Sequence, residues 1–461
     1  MSLQAEQMDG LLHQMNPWWD RGSVPGSMLG VPRPIPVGHV EEALRRGRVA
    51  LVTGPRRSGK TTILYQHVQG LIDSGESPDR VLYVMLDHPL LAGADAIGEA
   101  IEHFMAEFRH PRGRPLHILL DEAHRSARWG IWAKTVHDAY RFPLVLSGSS
   151  AMELEAGAMS ELTGRHAPVR VRPLGLREYM DFRGLAPSRG DEHVMPRIAD
   201  DYLRTGGFPE AVLDPEEASR RSRLLRLFDD ILLGDIVGSY PIRDVATLRD
   251  VAALVLSSTG TPVSFNKISS ATGCSVDTAK EYVGHMVACH LVSEVPFHSS
   301  SARERARNPA KYYPVDTGML DTITGGAARG ILAETAVFNA LAADAGGRSA
   351  PVAYWRERRE VDFVLCGRPL RAIEVKYRDA VDEGDLGGVR ALLGRGTRAN
   401  VTVVTRSVSG PVEVGGAEVA MVPLWRLLLG RGAPVRGRRP GPRRGGGGGR
   451  ASRAGVPAAS T

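Results

Sequence analysis

Cysteine is scarce in this chain: Cys274, Cys289 and Cys366 stand apart, with neither disulfide nor metal-ligand spacing. That excludes a disulfide framework and a structural zinc site, and a reducing, cytoplasmic setting is expected. Long apolar runs are also missing. No stretch approaches the ~18 residues of a membrane span, so no membrane partner is expected. Residues 1–20 have no apolar h-region and carry Glu6, Asp9 and two tryptophans, so no secretory signal is read there. Acidic residues are absent from 431–461, where eight arginines lift a body of net −2 to the overall +6. That tail, with five consecutive glycines at 445–449, is expected to be disordered. Its arginines either hold nucleic-acid phosphates loosely or stay solvated.

At 461 residues and 43% hydrophobic content, the chain has room for about three domains. Apolar runs at 49–53, 81–86, 116–120 and 144–146 alternate with helical patterns, which implies a parallel sheet covered on both faces. Beyond about residue 180 the pattern turns mostly helical. Residues 265–272, a turn at Gly273 and 275–290 read as helix-turn-helix, with Ser275 as N-cap. Runs at 291–295 and 311–315 suit the two strands of a wing. A last block opens with a helix at 331–343. Runs at 361–365 and 370–376 then form a hairpin, and 401–405 a further strand.

Gly54, Pro55, Arg56, Arg57, Ser58, Gly59, Lys60 and Thr61 satisfy G-x-x-x-x-G-K-[ST], with Thr62 following, between a strand and a helix. In such a loop the backbone N–H groups wrap the phosphates of ATP, Lys60 neutralises them, and Thr61 ligates Mg2+. A buried strand ends in Asp121, suited to the magnesium shell, and Glu122, suited to orienting the attacking water. Ser149, at the end of the fourth strand, either senses the γ-phosphate or holds the water, or is a turn serine. Arg165 is a candidate arginine finger, which in trans would require a homo-oligomer. Asp121-Glu-Ala-His124 also spells the DEAH box of certain helicases. A helicase of that class needs a second nucleotide-clamping α/β domain, and the helical stretch after 180 does not suit it.

Several words recur in one order: Asn16-Pro-Trp-Trp19, the glycine loop, Asp121-Glu122, Ser147-Gly-Ser-Ser150 and Leu162-Thr-Gly-Arg165. Pro173-Leu-Gly-Leu-Arg-Glu-Tyr179, Gly206-Gly-Phe-Pro-Glu210, Asp316-Thr-Gly318 and Ile373-Glu-Val-Lys376 follow. Together they resemble a group of prokaryotic AAA-type ATPases fused to a C-terminal domain of unknown function similar to restriction endonucleases. The resemblance implies an α/β chain of several parts. These are a lead-in at 1–44, a parallel-sheet P-loop core at 45–185 and a helical lid at 186–240. A winged helix at 241–322, a PD-(D/E)xK nuclease-like α/β domain at 323–430 and the tail at 431–461 complete it. Ala123-His124 and the tail depart from the group's pattern.

Asp362, Glu374 and Lys376 form D-x11-E-x-K. Strand residues two apart share a face, so Glu374 and Lys376 point together, and a hairpin brings Asp362 beside them. Asp362 and Glu374 then suit a magnesium ion, Lys376 a water or phosphate, and Glu334 on the preceding helix a further carboxylate. In the winged helix, Lys280 and His285 are the cations of the second helix. Arg303, Arg305, Arg307 and Lys311 in the wing suit phosphates. The leading expectation is an ATP-driven enzyme acting on nucleic acid, DNA before RNA. The alternative is an ATP-switched DNA-binding or signalling protein whose last domain only docks partners.

Overall fold

The structure, a computed structural model, describes residues 5–430 except 92–94, 109, 111–114, 127, 150–161, 189, 345–351, 368 and 396–398. The arginine-rich tail, expected to be disordered, and Ser150 lie outside the described residues.

The first unit is a five-stranded, all-parallel sheet of β1 (Val49–Thr53), β2 (Val81–Met85), β3 (His117–Asp121), β4 (Leu144–Gly148) and β5 (His166–Arg170). Their spatial order is β2–β3–β4–β1–β5. β1 and β4 are buried along their whole length, as continuous apolar strands must be when both faces are covered. Helix α1 (Ala5–Met15) packs on β2. Helix α2 (Pro34–Arg45) packs on β1, β5 and α3 (Lys60–Asp73), and α4 (Ala96–Glu107) packs on α1 and β2.

The edge strand β2 is covered by Asn16-Pro-Trp-Trp19. The Asn16 carboxamide donates to the Tyr83 carbonyl at 2.9 Å and accepts the Tyr83 N–H at 2.7 Å, mimicking a neighbouring strand. Trp18 and Trp19 both donate their indole N–H to the Val81 carbonyl, at 3.1 and 2.9 Å. An edge that would otherwise expose ladder groups is thereby closed.

The middle of the chain is helical: α5 (Met195–Thr205), α6 (Glu217–Asp229), α7 (Val245–Ser257), α8 (Phe265–Thr272), α9 (Val276–Ala288) and α10 (Thr317–Ile323). α6 runs on as a π-helical turn over Asp230–Ile236. Ser275 caps α9, its hydroxyl accepting the Thr278 N–H at 3.0 Å. β6 (Val292–Val295) and β7 (Lys311–Pro314) form an antiparallel ribbon. The connection between them carries a short helix, Ala302–Arg307, where only a polar loop was expected.

After α11 (Arg329–Asp344) comes a six-stranded mixed sheet. It comprises β8 (Val352–Arg356), β9 (Glu360–Leu365), β10 (Leu370–Lys376), β11 (Ala399–Thr405), β12 (Gly410–Val414) and β13 (Ala417–Pro423). The order is β12–β13–β11–β10–β9–β8. β10, β11 and β13 are parallel, and the other pairings are antiparallel. One apolar core runs from Leu174 to Trp425, joining the helical segment to the second sheet, while the first sheet keeps its own core. Among the described residues, no helix is long and apolar enough to cross a membrane.

Three of the sequence words meet at one joint. The Leu174 N–H donates to the Gly207 carbonyl at 2.6 Å. The Gly207 N–H donates to Asp316 at 2.6 Å, and Asp316 also accepts the Met319 N–H at 2.8 Å as the cap of α10. The joint ties the segment after the first sheet to the helical segment.

Candidate functional site

β1 delivers the glycine loop at the carboxyl edge of the sheet, where open α/β folds bind ligands. A Cβ on Gly54 would lie 2.0 Å from the Val171 carbonyl oxygen, so only glycine fits. Gly59 has φ 92° at the N-cap of α3. No side chain caps α3, which leaves its first-turn N–H groups facing the loop's hollow. Pro55 and Ser58 are buried. Lys60, 5% exposed, is held by the Gly54 and Pro55 carbonyls at 3.1 and 3.2 Å. Thr62 lies two residues further along α3. Arg33, which the sequence reading did not single out, braces the loop. It donates to the Ser58 carbonyl at 2.8 Å and the Arg172 carbonyl at 3.0 Å, and pairs with Glu178 at 2.8 Å.

β4 lies between β1 and β3, so three strand ends share one edge. Asp121, 1% exposed, accepts the Thr61 hydroxyl at 2.7 Å and the Tyr83 hydroxyl at 2.8 Å on one oxygen. The other oxygen accepts the Glu122 N–H at 3.1 Å and the Ser147 hydroxyl. Thr61 and Asp121 thus present two oxygen ligands side by side, a donor set that fits magnesium. Glu122 adopts φ 51°, an uncommon conformation for a non-glycine residue. Its carboxylate accepts the Ser149 N–H at 3.3 Å, with the Ser149 hydroxyl at 3.5 Å and His124 at 3.5 Å. Burial pushes the Glu122 carboxyl up; Lys60 works against this and Asp121 adds to it. Ser149 therefore lies against the carboxylate of Glu122.

Two loop residues have partners that sequence spacing did not reveal. Arg56 pairs with Asp235 at 3.3 Å, and Arg57 pairs with Glu210 at 3.2 Å and Asp230 at 3.0 Å. Arg165 is not brought to the site of its own chain. Its carbonyl accepts the Val49 N–H at the start of β1, the end of the strand remote from the loop, and its side chain pairs with Asp138 at 3.1 Å. Five residues of strand separate the two ends, roughly 16 Å.

The second constellation lies on the β9–β10 hairpin. Lys376 pairs with Glu374 at 2.6 Å, and Asp362 accepts the Val375 N–H at 2.7 Å. Glu374 is 3% exposed and its Oε2 is buried without a donor. Burial, then the charge of Asp362, pushes Glu374 up to about 8 against Lys376. Glu334, on α11, accepts the Tyr313 hydroxyl. Burial and Asp362 push it up to about 7, with Lys311 opposing. Asp362 is thus the charge common to both glutamates. Among the described residues, Glu334, Asp362 and Glu374 do not bring one ligand atom each within 4.8 Å of one another; Asp9 and Glu107, through a carboxylate oxygen, and His13, through a ring nitrogen, do.

The structure corrects one expectation here. Lys311 was read as a phosphate contact of the wing, yet it is fully buried. Its ammonium pairs with Glu360 at 2.6 Å and Glu334 at 3.4 Å. Burial works against its charge, but Glu334, Asp362 and Glu360 outweigh that. Of the expected recognition-helix cations, Lys280 is exposed, whereas His285 stacks on Tyr240 with ring centroids 3.8 Å apart.

The glycine loop, the acidic strand end and the parallel sheet define a P-loop ATPase unit. Residues 46–180 match the model of an AAA domain, which places that segment among AAA-type ATPase domains. Residues 197–329 and 329–426 match two domains of unknown function, DUF8612 and DUF4143. The chain is 23% identical over 279 residues to an uncharacterized protein of Haemophilus influenzae, covering 59% of this chain and 68% of that protein. It is 20% identical over 350 residues to the uncharacterized protein MJ1544 of Methanocaldococcus jannaschii, covering 73% and 76%. Among solved structures, the Walker-type ATPase paby2304 of Pyrococcus abyssi aligns with TM-score 0.43 and 12% identity, over 64% of this chain and 95% of that one. The Hsp104:casein complex of S. cerevisiae aligns with TM-score 0.30 and 17% identity, over 61% and 54%.

Proposed function

We propose that this chain hydrolyses ATP at the glycine loop and uses the nucleotide cycle to control a nuclease-like C-terminal unit that acts on DNA. The observation that carries the first half is the pairing of Thr61 with Asp121 at 2.7 Å, with Lys60 in the loop's hollow and Glu122 next in sequence. The N–H groups of the loop and of α3 would bind the β and γ phosphates, and Lys60 would neutralise them. Thr61 and Asp121 would hold Mg2+, which when bound neutralises phosphate charge. Glu122 orients the attacking water and accepts its proton, and its raised affinity for protons suits that role. Ser149 fixes the Glu122 carboxylate. Phosphate release from wild type, Lys60→Ala and Glu122→Gln tests this: Glu122→Gln should bind ATP yet turn over at least about a hundredfold more slowly. Wild-type turnover in Lys60→Ala would sink it.

For the second half, the ordering of Asp362, Glu374 and Lys376 on one hairpin supports a metal-assisted phosphodiester site. The buried, donorless oxygen of Glu374 fits a cation ligand. Asp362 and Glu374 would hold the ion and Lys376 would face the phosphate. α8, α9 and the β6–β7 ribbon would form the winged helix, with exposed Arg303, Arg305 and Arg307 toward DNA. Cleavage of DNA with Mg2+ or Mn2+, lost in Asp362→Ala, is the expected outcome. The rival reading, a switch whose last unit only docks partners, is favoured by the Lys376–Glu374 and Lys311–Glu360 pairs that neutralise this cluster internally. It predicts cellular activity that survives Asp362→Ala but not Lys60→Ala. Arg165, remote from its own loop, would act on a neighbouring subunit. Arg165→Ala should then lower turnover only at concentrations where subunits associate.

A further inference from the structure

The outer side of the glycine loop is covered by the helical segment. Pro209 lies against Gly59, and the π-helical turn Asp230–Ile236 lies against Arg56. A π-helical turn is a rare element that recurs at functional positions. Two adjacent loop arginines meet three carboxylates across this boundary: Arg56 with Asp235, and Arg57 with Glu210 and Asp230. Arg57 holds φ 60°, an uncommon backbone conformation for its residue type.

Asp235 differs from the other two carboxylates. It is 4% exposed, while Asp230 and Glu210 are 38% and 53% exposed. One oxygen reaches Arg56, and the other is buried with no donor. Burial raises its carboxyl. Arg56 and Lys60 oppose this, and the charge of Glu122 adds to it, so the group feels both ends of the catalytic edge. A buried carboxylate with a single, half-exposed partner is costly to leave once that partner is drawn away.

We propose that Asp235 is a positioning residue through which the helical segment senses the nucleotide: polyphosphate on the loop and the carboxylates of 210–235 compete for Arg56 and Arg57. This rests on the ATP reading above. A polyanion seated on Gly54–Thr61 draws the two guanidinium groups inward and faces Asp235 with like charge. The three ion pairs then open and the π-helical turn leaves the loop. Release of phosphate restores the pairs and the contact. ATP affinity therefore includes the work of breaking this contact, and removing the acidic side must tighten binding.

The sign of that effect separates sensing from a merely structural role, because a structural residue weakens binding when it is lost. The test is fluorescent-ATP titration of the full chain in wild type, Asp235→Asn, the surface variant Glu210→Gln/Asp230→Asn, and Lys60→Ala. A second readout is hydrogen exchange over 230–236 with and without ATP. Asp235→Asn is expected to bind ATP about fivefold tighter or more. The surface variant should change in the same direction by less, and ATP should speed exchange over 230–236 in wild type. If both acidic-side variants bind within twofold of wild type, or weaker, while Lys60→Ala loses binding, the sensing role is refuted and the ATP site stands. If wild type binds no ATP, both fall. Should Asp235→Asn fail to fold, the surface variant decides alone.

Discussion

Asn16 offers a clean perturbation because it is uncharged, wholly buried and bound on both sides of its carboxamide. Its amide donates to the Leu12 and Tyr83 carbonyls at 2.8 and 2.9 Å, and its oxygen accepts the Tyr83 N–H at 2.7 Å. Asn16→Ala strips both partners from Tyr83 in the middle of an edge strand that water cannot reach. Two buried backbone groups left unpaired cost about 1–3 kcal/mol each, so the expected loss is roughly 2–6 kcal/mol. For a unit of this size that corresponds to a fall of the ATPase transition by about 10 °C. Asn16→Asp should be no better, because it keeps the acceptor but turns a carboxylate oxygen toward the Tyr83 carbonyl. The effect should reach the nucleotide edge as well, since the Tyr83 hydroxyl holds Asp121 at 2.8 Å. Calorimetric melting of both variants, with magnesium-dependent turnover below the transition, measures the two consequences. A melting shift under about 2 °C for Asn16→Ala would refute the reasoning, because no reorganised water or side chain should replace a strand mimic there.

Further outcomes are expected elsewhere. Glu374 and Glu334 take up protons more readily in the fold, near about 8 and about 7, than in the unfolded chain at about 4.5. Their contribution is complete below about 4.5 and is lost as pH rises through about 7 to 8. Urea midpoints should therefore fall from pH 5.5 to 9, and Glu374→Gln should flatten that slope; a parallel profile for the variant would count against it. If the cluster takes a divalent ion, magnesium should raise the wild-type midpoint at pH 8.5 and leave Glu374→Gln unmoved. Ser275→Ala removes the cap of α9 and should cost about 1 kcal/mol by denaturant titration, without altering ATP turnover.

The nucleotide edge was legible because its chemistry fixes spacing. A loop closing on phosphates needs its glycines and lysine at set intervals, and a buried strand ending in two acids announces itself after an apolar run. The helix-turn-helix and the β9–β10 hairpin could be read for similar local reasons: a serine cap, a left-handed glycine turn, and alternation broken by Gly-Arg-Pro. What escaped reading depends on tertiary neighbours. β5 contains Pro168 and only one buried residue, so it lacks a strand's pattern and succeeds only as an edge. β12 and β13 bury few of their residues and so lack a strand's apolar pattern, and β8 meets its neighbour β9 through a bulge. Lys311 gave no local sign that Glu334 and Glu360 would bury it. Asp235 looked like any acid in an amphipathic helix until the fold set it against Arg56.

The central claim is that Lys60, Thr61, Asp121 and Glu122 form one working nucleotide site. Phosphate release with and without magnesium, measured side by side in wild type and Lys60→Ala, tests it most directly. Turnover that needs the ion and disappears with the lysine is the predicted result. Equal release from the two proteins, or none from wild type at saturating ATP and magnesium, would contradict it.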